Sequence, residues 1–416
     1  MPANYLHGIE TVEITKGPRP IQIVKSAVIA LVGSAPSGPV NVPTLVLSDK
    51  DAAKFADMTG RPAGDALNNY TLPAALDGIL DQGAGVVVVI NIFNPALHTA
   101  TGEAGKTAIA ASDLIGGVDP ATNARKGLAA LANFFTLFGF TPKIICCPGW
   151  SSSAAVATEM LSRAQAHRAV ALIDGTAGIT VPQAIANRAV TSSNFDTSSE
   201  RALLLYPGCT IYDAATGTTR VEGLSARVAG LISRVDQEEG YWVSPSNHEL
   251  RGVVGMETPI SAGINDATTE ANLLNEKGIT TLFNSFGTGI RLWGNRTAAW
   301  PSVTHPKNFL NVRRVADILQ ESVEWSMLQF LDQPINDVLI DSIKASVDGF
   351  IRTLVMRGAL VDGKCTYDPA KNPVTEIALG HILFDIEFMP PTPAERITFE
   401  SFINIDLLRS LGGGNS

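Results

Sequence analysis

Residues 142–175 read PKIICCPGWSSSAAVATEMLSRAQAHRAVALIDG, and this stretch decides the fold class. PKIICCPG (142–149) is a short apolar run punctuated by proline and glycine, the pattern of a buried strand. SSSAAVATEMLSRAQAHRA (151–169) is a helix, with serine at the N-cap position where a hydroxyl can accept from an unpaired backbone N–H. VALIDG (170–175) is a second apolar strand. Strand, helix and strand in direct succession predict a crossover unit and a largely parallel sheet.

The same alternation extends outward. Upstream, Ala27 to Val32 is a continuous apolar run bounded by Gly33 and Pro36. VPTLVLSD (42–49) is a further strand, and Ser48 or Asp49 caps a helix over 49–60. A second helix is expected over 71–82, before the strand GVVVVINIF (85–93), whose unbroken valines suit burial on both faces. Arg125 to Phe138 is read as a helix. Downstream come a helix in VPQAIANRAVTS (181–192), a strand in ALLLYPG (202–208) and a helix over Val221 to Gln237. An α/β domain with a largely parallel sheet is therefore expected over about 25–260.

Beyond it the pattern changes. TTLFNSFGTGIRLWGNRT (280–297) reads as two strands around a glycine-rich turn. The Gly287-Thr288-Gly289 and Arg291 combination resembles an anion-holding loop, but a strand-to-strand turn needs the same glycines. NVRRVADILQESVEWSMLQFL (311–331) is a long amphipathic helix with Val312, Val315, Leu319, Val323 and Phe330 near one face. A second helix is expected from Ile335 to Arg357. Its apolar positions are Val338, Leu339, Ile343, Phe350, Ile351 and Leu354, with Asn336 or Asp337 as cap and Gly358 at its end. HILFDIEFM (381–389) and ERITFESFINIDLL (395–408) alternate with the period of strands. Pro390, Pro391 and Pro393 stand between them. Proline lacks an N–H and fixes φ, so this is a stiff spacer and not a hairpin turn. The last strand, with Ile397, Phe399, Ile403 and Ile405 on one face, is thus kept from its predecessor and free to pair elsewhere, including in another molecule. At the other terminus IETVEIT (9–15) reads as an extended arm bearing Ile9, Val12 and Ile14. Gly17, Pro18 and Pro20 hold it extended.

Composition narrows the function. The chain has 416 residues, of which 17% are charged and 45% hydrophobic, with a net charge of −9. An average soluble domain carries about 25% charged residues, so part of this surface is expected to be covered in the working state. The apolar runs fall far short of the ~20 residues that span a bilayer, and the N-terminus lacks the pattern of a secretory signal. The acidic balance disfavours a nucleic-acid partner. Cys146, Cys147, Cys209 and Cys365 suit buried free thiols, with intermolecular pairing as the alternative.

Chemical motifs are weak. ATGEAGKT (100–107) resembles a phosphate-binding loop, with Gly105, Lys106 and Thr107 in the roles that cradle phosphate and Mg²⁺, and Asp174 as a downstream metal-orienting carboxylate. Against it, the first glycine is replaced by alanine, NPALHT separates the motif from the preceding strand, and Gly116, Gly117 and Pro120 spoil the helix that should follow. No histidine pair has metal-ligand spacing, and no GxSxG elbow is present. No cofactor is implied, and nucleotide binding at 100–107 is the rival reading.

The chain as a whole resembles the contractile-tail sheath proteins of bacteriophages and phage-tail-like bacteriocins. The likeness is carried by YLHGIETVEITKGPRPIQIVKSAVIALVGSAPSG (5–38), KGITTLFNSFGTGIRLWGNRTA (277–298), KNFLNVRRVADILQESVEWSMLQFLDQP (307–334) and NPVTEIALGHILFDIEFMPPTPAERITFESFIN (372–404). LIGGVDPATNARKGLAAL (114–131) and YWVSPSNHELRGVVG (241–255) fit as well. The resemblance implies a non-enzymatic subunit of the virion tail, stacked as hexameric rings around an inner tube and bounded by baseplate and tail-terminator proteins. It implies an outer α/β domain (25–275) inserted into an inner α+β domain (276–394). Strand-donating arms would occupy 1–24 and 395–416, hinged at Gly17, Pro18, Pro20, Pro390, Pro391 and Pro393. The second long helix is the candidate tube-facing element, through Lys344, Arg352 and Arg357.

Overall fold

A computed structural model of the chain describes residues 20–55, 70–98, 109–213, 217–285 and 287–411. The expected alternation yields one eight-stranded sheet. Its strands, in chain order, are β1 (Val28–Gly33), β2 (Thr44–Val46), β3 (Val86–Asn91), β4 (Ile144–Cys146), β5 (Val170–Asp174), β6 (Ala202–Leu205), β7 (Ile279–Ser285) and β8 (Gly289–Trp293). They lie in the order β8-β7-β6-β5-β4-β1-β3-β2. The strands from β7 to β3 run parallel, and β2 and β8 close the two edges antiparallel.

Both faces of the sheet are covered, which is why its strands read as unbroken apolar runs. Val28, Ala30 and Val32 point into one core, under helix α2 (Ala154–His167) and the 3₁₀ segment Gly127–Asn133. Ile29 and Leu31 point into the other, under helices α1 (Leu72–Asp81) and α3 (Ser225–Glu238). A small antiparallel sheet of Cys209–Asp213, Thr218–Glu222 and Val253–Met256 flanks the second core.

The C-terminal unit has its own core. Helix α4 (Leu310–Met327), helix α5 (Asp337–Met356) and the hairpin Asp362–Thr366 with Asp385–Met389 enclose Val315, Leu319, Phe350, Ile351 and Leu354. Ile21, Ile23 and Val24 pack on the same cluster, so the first described residues and the last strands share one unit.

Several elements differ from expectation. The sheet passes residue 275 without a break, because β7 pairs with β6 through Ile279 and Thr280 and carries β8 with it. The expected boundary between an outer and an inner domain thus falls inside one sheet. The helix expected from Val221 starts at Ser225, since Thr218–Glu222 pairs as a strand with Cys209–Asp213. Residues 125–138 are a short strand, a 3₁₀ segment and a brief helix instead of one helix. The strand expected over 381–389 begins at Asp385. The Asn372 side chain takes the backbone N–H of Leu383 at 2.8 Å and its carbonyl at 3.0 Å, the groups a ladder would have used. In α5, Val338 faces solvent and not the core.

Candidate functional site

Helix α4 joins the C-terminal unit to the sheet through ion pairs, three of them buried and one, Arg168–Glu324, partly exposed. Asp317 accepts from Arg201 at 2.6 and 2.8 Å and from Arg313 at 2.7 Å. Arg314 donates to Asp236 at 2.5 and 2.8 Å and to the Ser26 carbonyl at 3.1 Å. Glu321 pairs with Lys143, and Glu324 holds Arg168 in a fork of two 2.6 Å bonds. Ser26, Lys143, Arg168 and Arg201 stand just ahead of β1, β4, β5 and β6. The helix therefore lies across the amino ends of the parallel strands, where converging chain starts present cations to its acidic stripe. Burial pulls the Lys143 ammonium below its usual value, and its bond to Glu321 pulls it back.

The opposite edge of the sheet is where α/β folds commonly bind ligands. Here Asp174, at the end of β5, is already committed. It accepts from the Ser225 N–H at 2.8 Å, the Ser225 hydroxyl at 2.5 Å and the Ser151 hydroxyl at 3.3 Å, so it caps α3. Burial raises its carboxyl to about 6. The phosphate-loop residues Gly105, Lys106 and Thr107 lie outside the described residues. All four cysteines are buried free thiols, their acidities suppressed chiefly by burial. The turn at Gly287 and Gly289 joins β7 to β8, and Arg291 donates to the Asn247 carbonyl at 2.6 Å.

The unusual chemistry of the surface lies after residue 389. Pro390 is buried, and the Pro391 carbonyl accepts from Asn311 in the first turn of α4 at 3.2 Å. Pro393 is half-buried. Glu395 then meets Arg296, which donates from Nε at 3.0 Å and from a second nitrogen. Past that point residues 396–404 form neither helix nor strand and pair with no strand among the described residues, so the strand expected over 395–408 does not form within this chain, and a 3₁₀ turn, Ile405–Leu411, follows. The expected apolar positions are open to solvent: Phe399 is 88% and Ile403 97% exposed, with Ile397 and Ile405 also exposed. Phe402, of the opposite parity, is exposed too. A patch of this kind marks an interaction surface, since burying each such side chain is worth about 1.5–3 kcal/mol.

A small sheet with open edges lies on the same unit. Among the described residues the hairpin Asp362–Thr366 with Asp385–Met389 is a two-stranded sheet, so its outer edges carry no further strand. Such edges are templates for strand addition. Of the other expected site residues, Ile9, Val12, Ile14, Gly17 and Pro18 lie outside the described residues. Pro20 is exposed and opens an extended segment along α4, in which Gln22 and Val24 donate to the Ser326 and Ser322 hydroxyls, each at 3.2 Å. Lys344 and Arg352 stand on the solvent face of α5, and Arg357 is exposed at its end. Sequence reading missed Arg296, Asn311 and Glu395. Only proximity in the fold connects them.

Comparison with known proteins follows the same lines. Residues 121–298 match the phage tail sheath protein central domain, and residues 302–404 the phage tail sheath C-terminal domain. The tail sheath protein of Burkholderia phage BcepMu is 42% identical, with 100% of each chain covered. The tail sheath protein of Escherichia phage P2 is 29% identical over 98% of each chain. Among solved structures, the helical sheath of the anti-feeding prophage in its contracted state matches at a TM-score of 0.70 and 17% identity, covering 97% of this chain and 100% of that one. The PVC sheath complex of an extracellular contractile injection system, also contracted, matches at 0.69 and 15%, over 98% and 100%.

Proposed function

Because the chain belongs to the phage tail sheath protein family, we propose that it polymerises as stacked hexameric rings around an inner tube and contracts to drive that tube through a target envelope. It is a structural subunit of a contractile tail sheath, and it is not an enzyme. In the proposed assembly, residues 395–416 leave one subunit and add a strand to the open hairpin edge of the next, with residues 1–24 linking in the same manner. Of the first 24 residues, those from Ile21 on pack on their own subunit, so the linking part of that arm lies ahead of them. Main-chain bonds of this kind do not depend on the tilt between whole subunits, so the links persist while the rings rotate. Helix α5 faces the tube through Lys344, Arg352 and Arg357, and exposed cations suit a contact that must let go. Baseplate and terminator proteins bound the polymer, which assembles in the host cytoplasm.

The observation that carries this reading is the exposed apolar segment ending at Asn404, which pairs with no strand among the described residues. Negative-stain microscopy of purified protein tests it. The full chain forms helical tubes, and a variant lacking residues 396–416 remains a folded monomer. Tubes from the truncated chain would overturn strand donation by this arm.

A further inference from the structure

The two halves of the segment after Met389 differ in how they are held. Up to Glu395 the chain is anchored to the body, and beyond Arg396 it has no strand partner through Asn404 among the described residues. The anchor is built in layers. Arg296 sits over the Phe309 ring at 3.8 Å and against the Trp300 ring at 4.2 Å. Its guanidinium also donates to Asn308 Oδ1 at 2.6 Å, so both its plane and its direction are set before Glu395 arrives. The platform below is tied across by Thr297 N–H to the Asn308 carbonyl at 2.8 Å and Leu310 N–H to the Asn295 carbonyl at 2.9 Å. Asn311, which bonds the Pro391 carbonyl, is itself positioned by Asn295 Nδ2 at 2.9 Å. Between these anchors the prolines keep the chain stiff.

We propose that the Arg296–Glu395 pair is a clamp that fixes the direction in which the C-terminal arm leaves the subunit, placing the arm's pivot at Arg396 and not in the proline run. Its consequence for assembly rests on the proposed engagement of the arm by a second copy; the clamp itself does not. The Arg296 side chain is 15% exposed and that of Glu395 49% exposed. The clamp is thus rigid on the body side and open to solvent on the arm side, so salt can release it without disturbing the core.

Trypsin reads the clamp directly, because Arg396 is a cleavage site whose neighbour Glu395 must be free before the chain can enter the protease. The measurement uses the full-length chain carrying Phe399→Asp and Ile403→Asp to keep it monomeric, follows release of the peptide beginning at Ile397, and normalises to a free peptide of residues 390–404. Arg296→Gln leaves the cleaved sequence unchanged and is expected to speed release about fivefold, the worth of a half-exposed charge pair. High salt speeds the parent similarly and has little further effect on the variant. Arg296→Lys keeps the charge but loses the fork and falls between them. An unchanged rate in Arg296→Gln, with a thermal midpoint like the parent's, would overturn the clamp. If Arg296→Gln lowers that midpoint, the salt dependence of the parent decides, and a flat profile refutes it.

For assembly, Glu395→Gln in the otherwise native chain is expected to form sheaths whose twist per ring is more variable by cryo-microscopy. Helical parameters identical to wild type would refute a role in assembly. Tubes from the chain lacking residues 396–416 would refute the arm reading and leave the clamp to stand or fall on trypsin.

Discussion

The α4 seam and the C-terminal arm invert the usual partition of side chains in opposite senses. At the seam, charged groups are buried: Arg201, Arg314, Asp236 and Asp317 are almost wholly removed from solvent. On the arm, aromatic and aliphatic groups are exposed, Phe399 and Ile403 most of all. A buried charge is tolerable only when its partner is in place within the same chain. An exposed apolar strand is tolerable only when a partner covers it in use. The seam is therefore complete within one chain, and in the proposed assembly the arm is completed by another molecule. The composition points to the same division. A chain with 17% charged residues commits many of them to internal pairs, leaving fewer to solvate its surface.

The largest test of this contrast is to remove each region's defining feature. Loss of residues 396–416 should abolish polymerisation while leaving the monomer's urea midpoint unchanged, because the described apolar side chains of this segment are exposed and not in the core. Asp317→Ala should do the reverse. It strands buried Arg201 without its carboxylate and should cost about 3–5 kcal/mol of monomer stability in urea denaturation. Replacing Arg201 and Asp317 together by apolar residues of similar volume should recover most of that loss. If the truncated chain unfolds more easily, or Asp317→Ala is silent, the contrast fails.

A smaller test concerns Asp174, a buried carboxylate at the far edge held by hydroxyls and a backbone N–H. Burial lifts Asp174 from the ordinary 3.8 to about 6, against the pull of the Ser225 and Ser151 bonds. A carboxyl held above its unfolded value contributes stability that is full below about pH 4 and is lost as the pH rises through 6. Lowering the pH from 7 to 5 should therefore stabilise wild type relative to Asp174→Asn by about 1 kcal/mol. Urea midpoints of both proteins at the two pH values check it, and parallel pH profiles would show that Asp174 does not titrate in that window.

The sheet was legible because parallel strands covered on both faces must be apolar throughout, as in VVVV at 86–89. The separation of the last alternating segment from Asp385–Met389 was legible because three prolines between them forbid their pairing. The seam was not. Arg313, Arg314, Asp317, Glu321 and Glu324 are ordinary polar positions of an amphipathic helix in the sequence, and their ion-pair partners outside the helix lie from 78 to 178 positions away. The available signal was weak: Lys143, Arg168 and Arg201 each stand within two residues of a strand start, where a helix crossing the sheet would meet them. The late start of the strand at Asp385 was equally hidden, since Asn372 competes for its backbone from outside the alternating run.

Between seam and arm lies α5, and its N-cap offers the smallest and cleanest separation of monomer stability from assembly. Asn336 holds an extended backbone, and its side chain accepts from the Leu339 N–H at 2.8 Å, filling one of the vacancies at the helix start. Asn336→Ala removes that acceptor and should cost about 1 kcal/mol. The change lies outside the arm and the hairpin edges, so sheath tubes should still form, with only the monomer's thermal midpoint lowered. Should the tubes be lost at so small a cost in stability, the start of α5 belongs to the assembly surface, and the division between a self-sufficient core and a partner-dependent arm must be redrawn to include it.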